Sequence, residues 1–178
     1  MLHNKLDRKQ LTDKLNAETF KRITLSFYRY VILDEPQAVR DLLFAAFEGM
    51  AVLGRIYVAR EGINAQLSVP EHNFNQLREY LDANSFFAQV PFKIAVEDDG
   101  KSFIKLVVKV RPQIVADGLP DGAFDVTNVG RHLTAQEFNQ AMDSPEAVVV
   151  DMRNFYESEV GHFEKAITPD AEIGRAHV

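Results

Sequence analysis

Gly54-Arg-Ile-Tyr-Val-Ala-Arg-Glu-Gly-Ile-Asn-Ala-Gln-Leu-Ser-Val69 holds two alternating runs joined through Arg60-Glu61-Gly62. In the first, Ile56 and Val58 are sorted from Arg55, Tyr57 and Ala59. In the second, Ile63, Ala65, Leu67 and Val69 are sorted from Asn64, Gln66 and Ser68. Residues two apart share one face of a strand, so each run predicts a strand with an apolar side and a polar side. Gly62 suits a tight connection between them, because it tolerates positive φ and close backbone approach.

The neighbouring sequence supplies partners for this pair. Ile23–Val31 alternates in the same way, with Ile23, Leu25 and Phe27 opposed to Thr24, Ser26, Tyr28 and Tyr30. Asp34-Glu35-Pro36 predicts a helix start, with Asp34 as cap and Pro36 in the first turn. Val39, Leu42, Leu43, Ala46 and Phe47 form its expected buried stripe, and Gly49 its end. Pro70 opens a second helix carrying Phe74, Leu77, Tyr80 and Leu81 on one side. Phe92–Val96 reads as a fourth strand, Asp98-Asp99-Gly100 as a turn, and Ser102–Val110 as a fifth strand. The order β-α-β-β-α-β with one added strand predicts an α/β (α+β) ferredoxin-like sandwich of the acylphosphatase-like kind over residues 23–115. Two helices on one side of a sheet leave the other side open. The polar halves of the strands would stand there, among them Tyr28, Tyr30, Arg55, Tyr57, Lys105, Lys109 and Arg111.

Charge is graded along the chain. Residues 1–22, a basic N-terminal segment, carry six basic and three acidic groups; residues 23–115 carry ten and eleven, and residues 116–178 four and twelve. The overall charge of −6 does not exclude nucleic acid, because binding depends on a local basic face. No apolar run reaches the ~20 residues of a membrane span, and the polar N-terminus is unlike a signal peptide. The expected setting is the cytoplasm. The chain has no cysteine, which removes disulfides and thiolate metal sites, and its histidines show no metal-ligand spacing.

Residues 116–130 are dense in Gly, Pro and Asp and read as a linker. Beyond it, Thr134 and Glu137 predict a capping box for a helix through Phe138 and Met142, followed by a buried strand Ala147–Asp151. The Arg60-Glu61-Gly62-Ile63-Asn64 turn is a further candidate site, since Arg60, Glu61 and Asn64 offer charge and amide groups. The alternative there is a tight connection with an internal ion pair.

Val148-Val-Val-Asp-Met-Arg-Asn-Phe-Tyr-Glu-Ser-Glu-Val-Gly-His-Phe-Glu-Lys-Ala166 resembles the opening signature of a rhodanese domain. By that resemblance residues 131–171 are the start of such a domain, and Asp151, Arg153 and His162 are framework residues. Phe27–Val31, Gly54–Gln66, Asp98–Phe103 and Lys109-Val-Arg-Pro-Gln-Ile-Val-Ala-Asp-Gly118 all precede it. The combination resembles the bacterial tRNA uridine hydroxylase (TrhO) family, most specifically in the Ala59–Gln66 and Lys109–Gly118 blocks. The resemblance implies oxygen-dependent formation of 5-hydroxyuridine at the wobble uridine, with molecular oxygen as co-substrate. No cofactor is visible in this chain. The implied partner is tRNA, met at its anticodon loop, with neither a membrane nor DNA. The RNA-binding candidates are Tyr28, Tyr30, Arg55, Tyr57, Lys105, Lys109 and Arg111 of the open face, with Arg60, Glu61 and Asn64 of the turn; the alternative is that this face packs against the rhodanese domain. The family's catalytic cysteine lies in a Cys-x-Gly-Gly-Ile-Arg-Cys loop well after Gly161-His162, so no residue here inherits that role and no metal ligand is expected. The chain alone is therefore expected to be inactive. Glu172–Val178 has no rhodanese counterpart and reads as translated sequencing adapter. Two alternatives stay open: an RNA- or protein-binding module fused to a rhodanese-like regulator, and a thiosulfate sulfurtransferase with an accessory domain.

Overall fold

The computed structural model describes residues 7–96, 98, 100–114, 125, 128 and 130–170. The chain divides into two compact units, Met1–Thr127 and Asn128–Val178. The linker expected at 116–130 and the foreign tail expected at 172–178 fall almost wholly outside the described residues.

The first unit is one five-stranded sheet with helices on one face. Its elements are α1 (Arg8–Asn16), β1 (Arg22–Tyr30), α2 (Pro36–Gly49), β2 (Leu53–Ala59), β3 (Gly62–Pro70), α3 (Phe74–Asp82), β4 (Lys93–Ile94) and β5 (Leu106–Val110). The strand order is β4-β1-β3-β2-β5. β3 runs antiparallel to both β1 and β2, and β5 lies parallel to β2 at the edge. This is the split βαββαβ arrangement with an added strand that the element order predicts.

The core lies between sheet and helices. Leu25, Phe27, Ile56, Val58, Ile63, Ala65, Leu67 and Val69 meet Leu43, Phe44 and Phe47 of α2 and Leu77 and Leu81 of α3. Phe92 completes this layer: it stacks on Phe27 with ring centroids 5.4 Å apart, and the Arg78 guanidinium sits 3.4 Å from its centroid.

Several boundaries differ from the sequence expectation. Residue Glu35 stands at the N-cap of α2 and Pro36 in its first turn, with no side-chain cap bond from Asp34. The buried stripe of α2 is rotated: Phe44 is buried, whereas Leu42 is 65 % exposed. A stripe only three or four residues wide can turn by one position without changing its period. β4 is two residues long, not five, because Phe92 turns into the core and Val96 points to solvent at 97 % exposure. β5 begins at Leu106, leaving Lys105 just outside it. Asp98 accounts for this late start. Its carboxylate accepts from the Thr24 hydroxyl (2.7 Å), the Gly100 N–H (2.6 Å) and the Ser102 hydroxyl (2.8 Å). These bonds tie Gly100 and Ser102 back to Asp98 and lower the Asp98 pKa. Helix α1 was not expected; its signals are Asp7 and Gln10, a reciprocal capping box, and the buried pair Leu11 and Leu15.

In the second unit, α4 (Ala135–Met142) starts at the expected Thr134–Glu137 capping box, and α5 spans Phe155–Val160. The run Ala147–Asp151 makes only a parallel bridge, Val150 to Ile167. It is not the buried strand the β-branched run predicts, since Val148 is 73 % and Val150 46 % exposed. Among the described residues of this unit, Asp151 and Ser158 alone are buried.

Two outcomes follow. Gly62 has φ +147°, and a Cβ there would lie 2.0 Å from the Arg29 carbonyl oxygen. Gly62→Ala should therefore destabilise the first unit by more than about 2 kcal/mol in denaturant unfolding; a change within error would contradict the strain. Amide exchange should find the strands of the first unit strongly protected and residues 131–170 weakly so, because the latter bury almost no apolar surface. Equal protection would refute this.

Candidate functional site

The face of the sheet opposite the helices is built in rows. Residues paired across strands point the same way, with neighbouring side chains about 5 Å apart. One row runs Tyr28, Asn64, Tyr57, Lys109, and the next Lys93, Ser26, Gln66, Arg55, Val107. Tyr28 is 53 % exposed and lies edge-on to Tyr30, with centroids 6.4 Å apart. Lys93 Nζ is 5.9 Å from the Tyr28 ring and Arg111 Cζ is 5.4 Å from the Tyr57 ring. Aromatic and cationic groups thus alternate on one surface, as a single-stranded nucleic acid would require of a platform.

The sequence candidates are distributed unevenly over this surface. Tyr28, Tyr30, Arg55, Tyr57 and Lys109 share the face by register, and Arg111 joins them over Tyr57. Lys105 is exposed but lies outside the paired residues of β5, so the ladder does not fix its side. Arg60 is exposed at the turn. The polar groups of Glu61 and Asn64 serve the fold instead. Glu61 Oε1 accepts from the Ile114 N–H at 2.7 Å, and Asn64 Nδ2 donates to the Ile114 carbonyl at 3.2 Å. They hold the segment after β5 onto this end of the face, and Ile114 is buried there. The turn also closes by backbone bonds from Val31 N to Glu61 O and from Leu33 N to Arg60 O. No Arg60–Glu61 ion pair forms among the described residues.

Lys93 belongs to this surface too, although the sequence does not mark it: Phe92–Val96 reads as a five-residue strand, and only Lys93–Ile94 pair with β1. With Ser26 and Gln66 it borders a concavity of about 360 Å³, closed on another side by Thr24, Ser102 and Phe103. Among the described residues no group of three or more His, Cys, Asp and Glu side chains could hold a metal ion.

In the second unit, Arg153 braces the other motif. Its guanidinium donates to both Asp151 oxygens, Nε to Oδ1 at 3.0 Å and Nη2 to Oδ2 at 2.6 Å, and Nη2 also reaches the Gly161 carbonyl at 2.6 Å. His162 Nδ1 lies 2.9 Å from the Ser158 carbonyl and so bears the proton there. The Arg153 side chain, then the Arg153 backbone N–H, lower the Asp151 pKa to about 2 from an ordinary 3.8. A depressed acid stabilises the fold above its unfolded pKa and loses that effect as pH falls through the folded value. Carboxyl NMR should therefore place the Asp151 midpoint near 2, and the second unit should loosen between pH 4 and 2. Asp151→Asn should abolish that step, and a midpoint near 4 would show the pair to be open in solution.

Residues 22–114 match the family described as UPF0176 acylphosphatase like domain. A protein of Leptospira interrogans named tRNA uridine(34) hydroxylase is 58% identical over 174 residues, covering 98% of this chain and 47% of the relative. Proteins of the same name from Enterobacter (48% identical, 98% of this chain, 50% of the relative) and Cronobacter sakazakii (49%, 100% and 51%) are similar too. The chain spans about half the length of the curated relatives it matches. With just over half of its residues inside the matched segment, this chain belongs to the UPF0176 acylphosphatase-like domain family.

Proposed function

We propose that this chain is part of an oxygen-dependent tRNA hydroxylase that forms 5-hydroxyuridine at position 34, and that its sheet domain supplies an RNA-contacting surface. The relatives' shared name supports the reaction and the substrate. The observation that carries the surface is the Tyr28-Asn64-Tyr57-Lys109 row with Lys93, Arg55 and Arg111 beside it. Position 34 lies in the anticodon loop, where unpaired bases can stack on aromatic rings while basic groups meet phosphates. A tRNA substrate would be met in the cytoplasm. Among the described residues no helix is long and apolar enough to cross a membrane.

Residues 131–171 are the opening of a rhodanese-like domain, with Asp151, Arg153 and His162 as its frame. Molecular oxygen would be the co-substrate. The chain has no cysteine, so a thiolate nucleophile of the kind a rhodanese loop supplies has to come from outside these 178 residues.

Replacing Arg55, Lys109 and Arg111 together by Ala in the full-length protein should weaken tRNA binding. The slope of log K against log salt should fall by about 2, as three lost phosphate contacts to a single strand require. Unchanged affinity and slope with the fold intact would remove RNA from this face. The 178-residue chain incubated with unmodified tRNA under air should form no 5-hydroxyuridine; product above the blank would move the catalytic centre into this chain.

A further inference from the structure

We infer that the concavity bordered by Lys93, Ser26, Gln66 and Phe103 is a subsite for one unstacked nucleotide of single-stranded RNA, base inside and phosphate toward Lys93. The inference rests on the reading of this face as an RNA surface and adds to it a place where a base is held rather than merely stacked.

Three observations support it. First, Lys93, Ser26 and Gln66 are paired directly across β4, β1 and β3, so their side chains stand side by side on one line. Second, the polar side chains around the concavity fall into two groups. Thr24 and Ser102 are both consumed by Asp98. The Ser26 hydroxyl and the Gln66 amide have no hydrogen-bond partner among the described residues, and Lys93 Nζ has only the Tyr28 ring, 5.9 Å away. A ligand in the groove can therefore bond them in exchange for solvent, without breaking a bond within the fold. Third, the space fits the task. The groove is open to solvent and offers about 360 Å³, room for one planar ring system lying against its wall with its sugar outside.

The chemistry selects a nucleotide over other small polar groups. A primary amide offers one donor and one acceptor side by side, matching the edge of a base, and a neighbouring hydroxyl can serve either role. Phe103 gives the wall an aromatic surface of the kind on which splayed-out bases stack. Lys93 is exposed at the rim, where a phosphate keeps its water on the other side. The Asp98 turn fixes the wall, since it ties the segment bearing Ser102 to Thr24 at the end of the same groove.

The test uses the 178-residue chain and a single-stranded heptamer of uridines, with uridine monophosphate as a second probe. Gln66→Ala, and separately Ser26→Leu to fill the concavity, should each lower heptamer affinity roughly ten-fold without altering the salt slope. Lys93→Ala should lower both affinity and slope, the latter by about 0.7. A heptamer containing 4-thiouridine should photocrosslink to the peptide bearing residues 93–103. Ser26, Gln66 and Lys93 replacements carry little risk to the core, and circular dichroism checks each variant. If both uncharged variants bind like wild type while Arg55, Lys109 and Arg111 replacements weaken binding, the subsite is refuted and the RNA face stands. If uridine monophosphate binds as tightly as the heptamer, the site takes a free nucleotide and the RNA assignment is overturned. If the heptamer does not bind at all and full-length protein does not bind tRNA, both readings fall.

Discussion

Every row of side chains on the open face of the first unit depends on the register of β3. It is the strand shared by the two longest ladders, pairing Tyr30 with Gly62 on one side and Ala59 with Gly62 on the other. Side chains alternate with a period of two, so a slip of one residue would turn Ile63, Ala65, Leu67 and Val69 outward and bury Asn64 and Gln66. The cost of burying those amides without partners, together with the lost apolar burial, makes the alternative register untenable. Gly62 fixes the starting point, because only a residue without Cβ fits with the Arg29 carbonyl so close. The rows of tyrosines, amides and cations are consequences of that single placement.

The open face is also bounded by chain rather than left as a bare sheet. At the Thr24 end, Asp98 draws the connection between β4 and β5 against β1. At the Gly62 end, Glu61 and Asn64 hold Ile114. Both are charge- or amide-assisted bonds between polar side chains and backbone or hydroxyl groups, and both convert residues that look like ligand donors into scaffold. What remains between them is a strip of unspent polar side chains. Arg29 illustrates the same economy on the opposite side: it reads as a cation in an aromatic run, yet its guanidinium donates to the Ala88 carbonyl at 2.7 Å and caps the loop after α3.

Much of this was legible because strands report their faces. The alternation in residues 23–31 and 54–69 gives the buried set and the exposed set directly, and Leu25, Phe27, Ile56, Val58, Ile63 and Leu67 are buried as that alternation requires. Helix stripes are less decisive. Leu42 and Phe44 are both apolar and two apart, and either completes a three- and four-residue spacing with its neighbours, so period alone does not select the buried Phe44. The ends of β4 and β5 were hidden for another reason: Asp98 satisfies Thr24, Gly100 and Ser102 at once, and nothing in the spacing Thr24 to Asp98 announces a bond across 74 residues. The roles of Glu61 and Asn64 were equally non-local, since their partner Ile114 is about 50 residues away. The run Val148-Val-Val150 misled in the opposite sense: β-branched residues specify a strand that wants burial, but burial needs neighbouring strands, and Val150 has one parallel bridge.

The charge distribution gives the last step. The twelve acidic groups of residues 116–178 against four basic ones account for the acidity of the chain, while residues 23–115 are nearly neutral at ten basic and eleven acidic. Near-neutrality in the sheet domain is not a uniform mixture. Arg40 meets Asp41 on α2, Arg78 is drawn to the Val90 carbonyl and the Phe92 ring, and Arg29 donates to the Ala88 carbonyl, so these cations are occupied within the fold. Lys93, Arg55, Lys109 and Arg111 stand on or beside the open face, with no carboxylate paired to them among the described residues. At physiological salt, charges further off than about 8 Å are largely screened. A phosphate brought to the face would therefore respond to these four groups more than to the net charge of the chain. An acidic protein can present a basic surface in this way, because the carboxylates that set its net charge are not paired with these four cations.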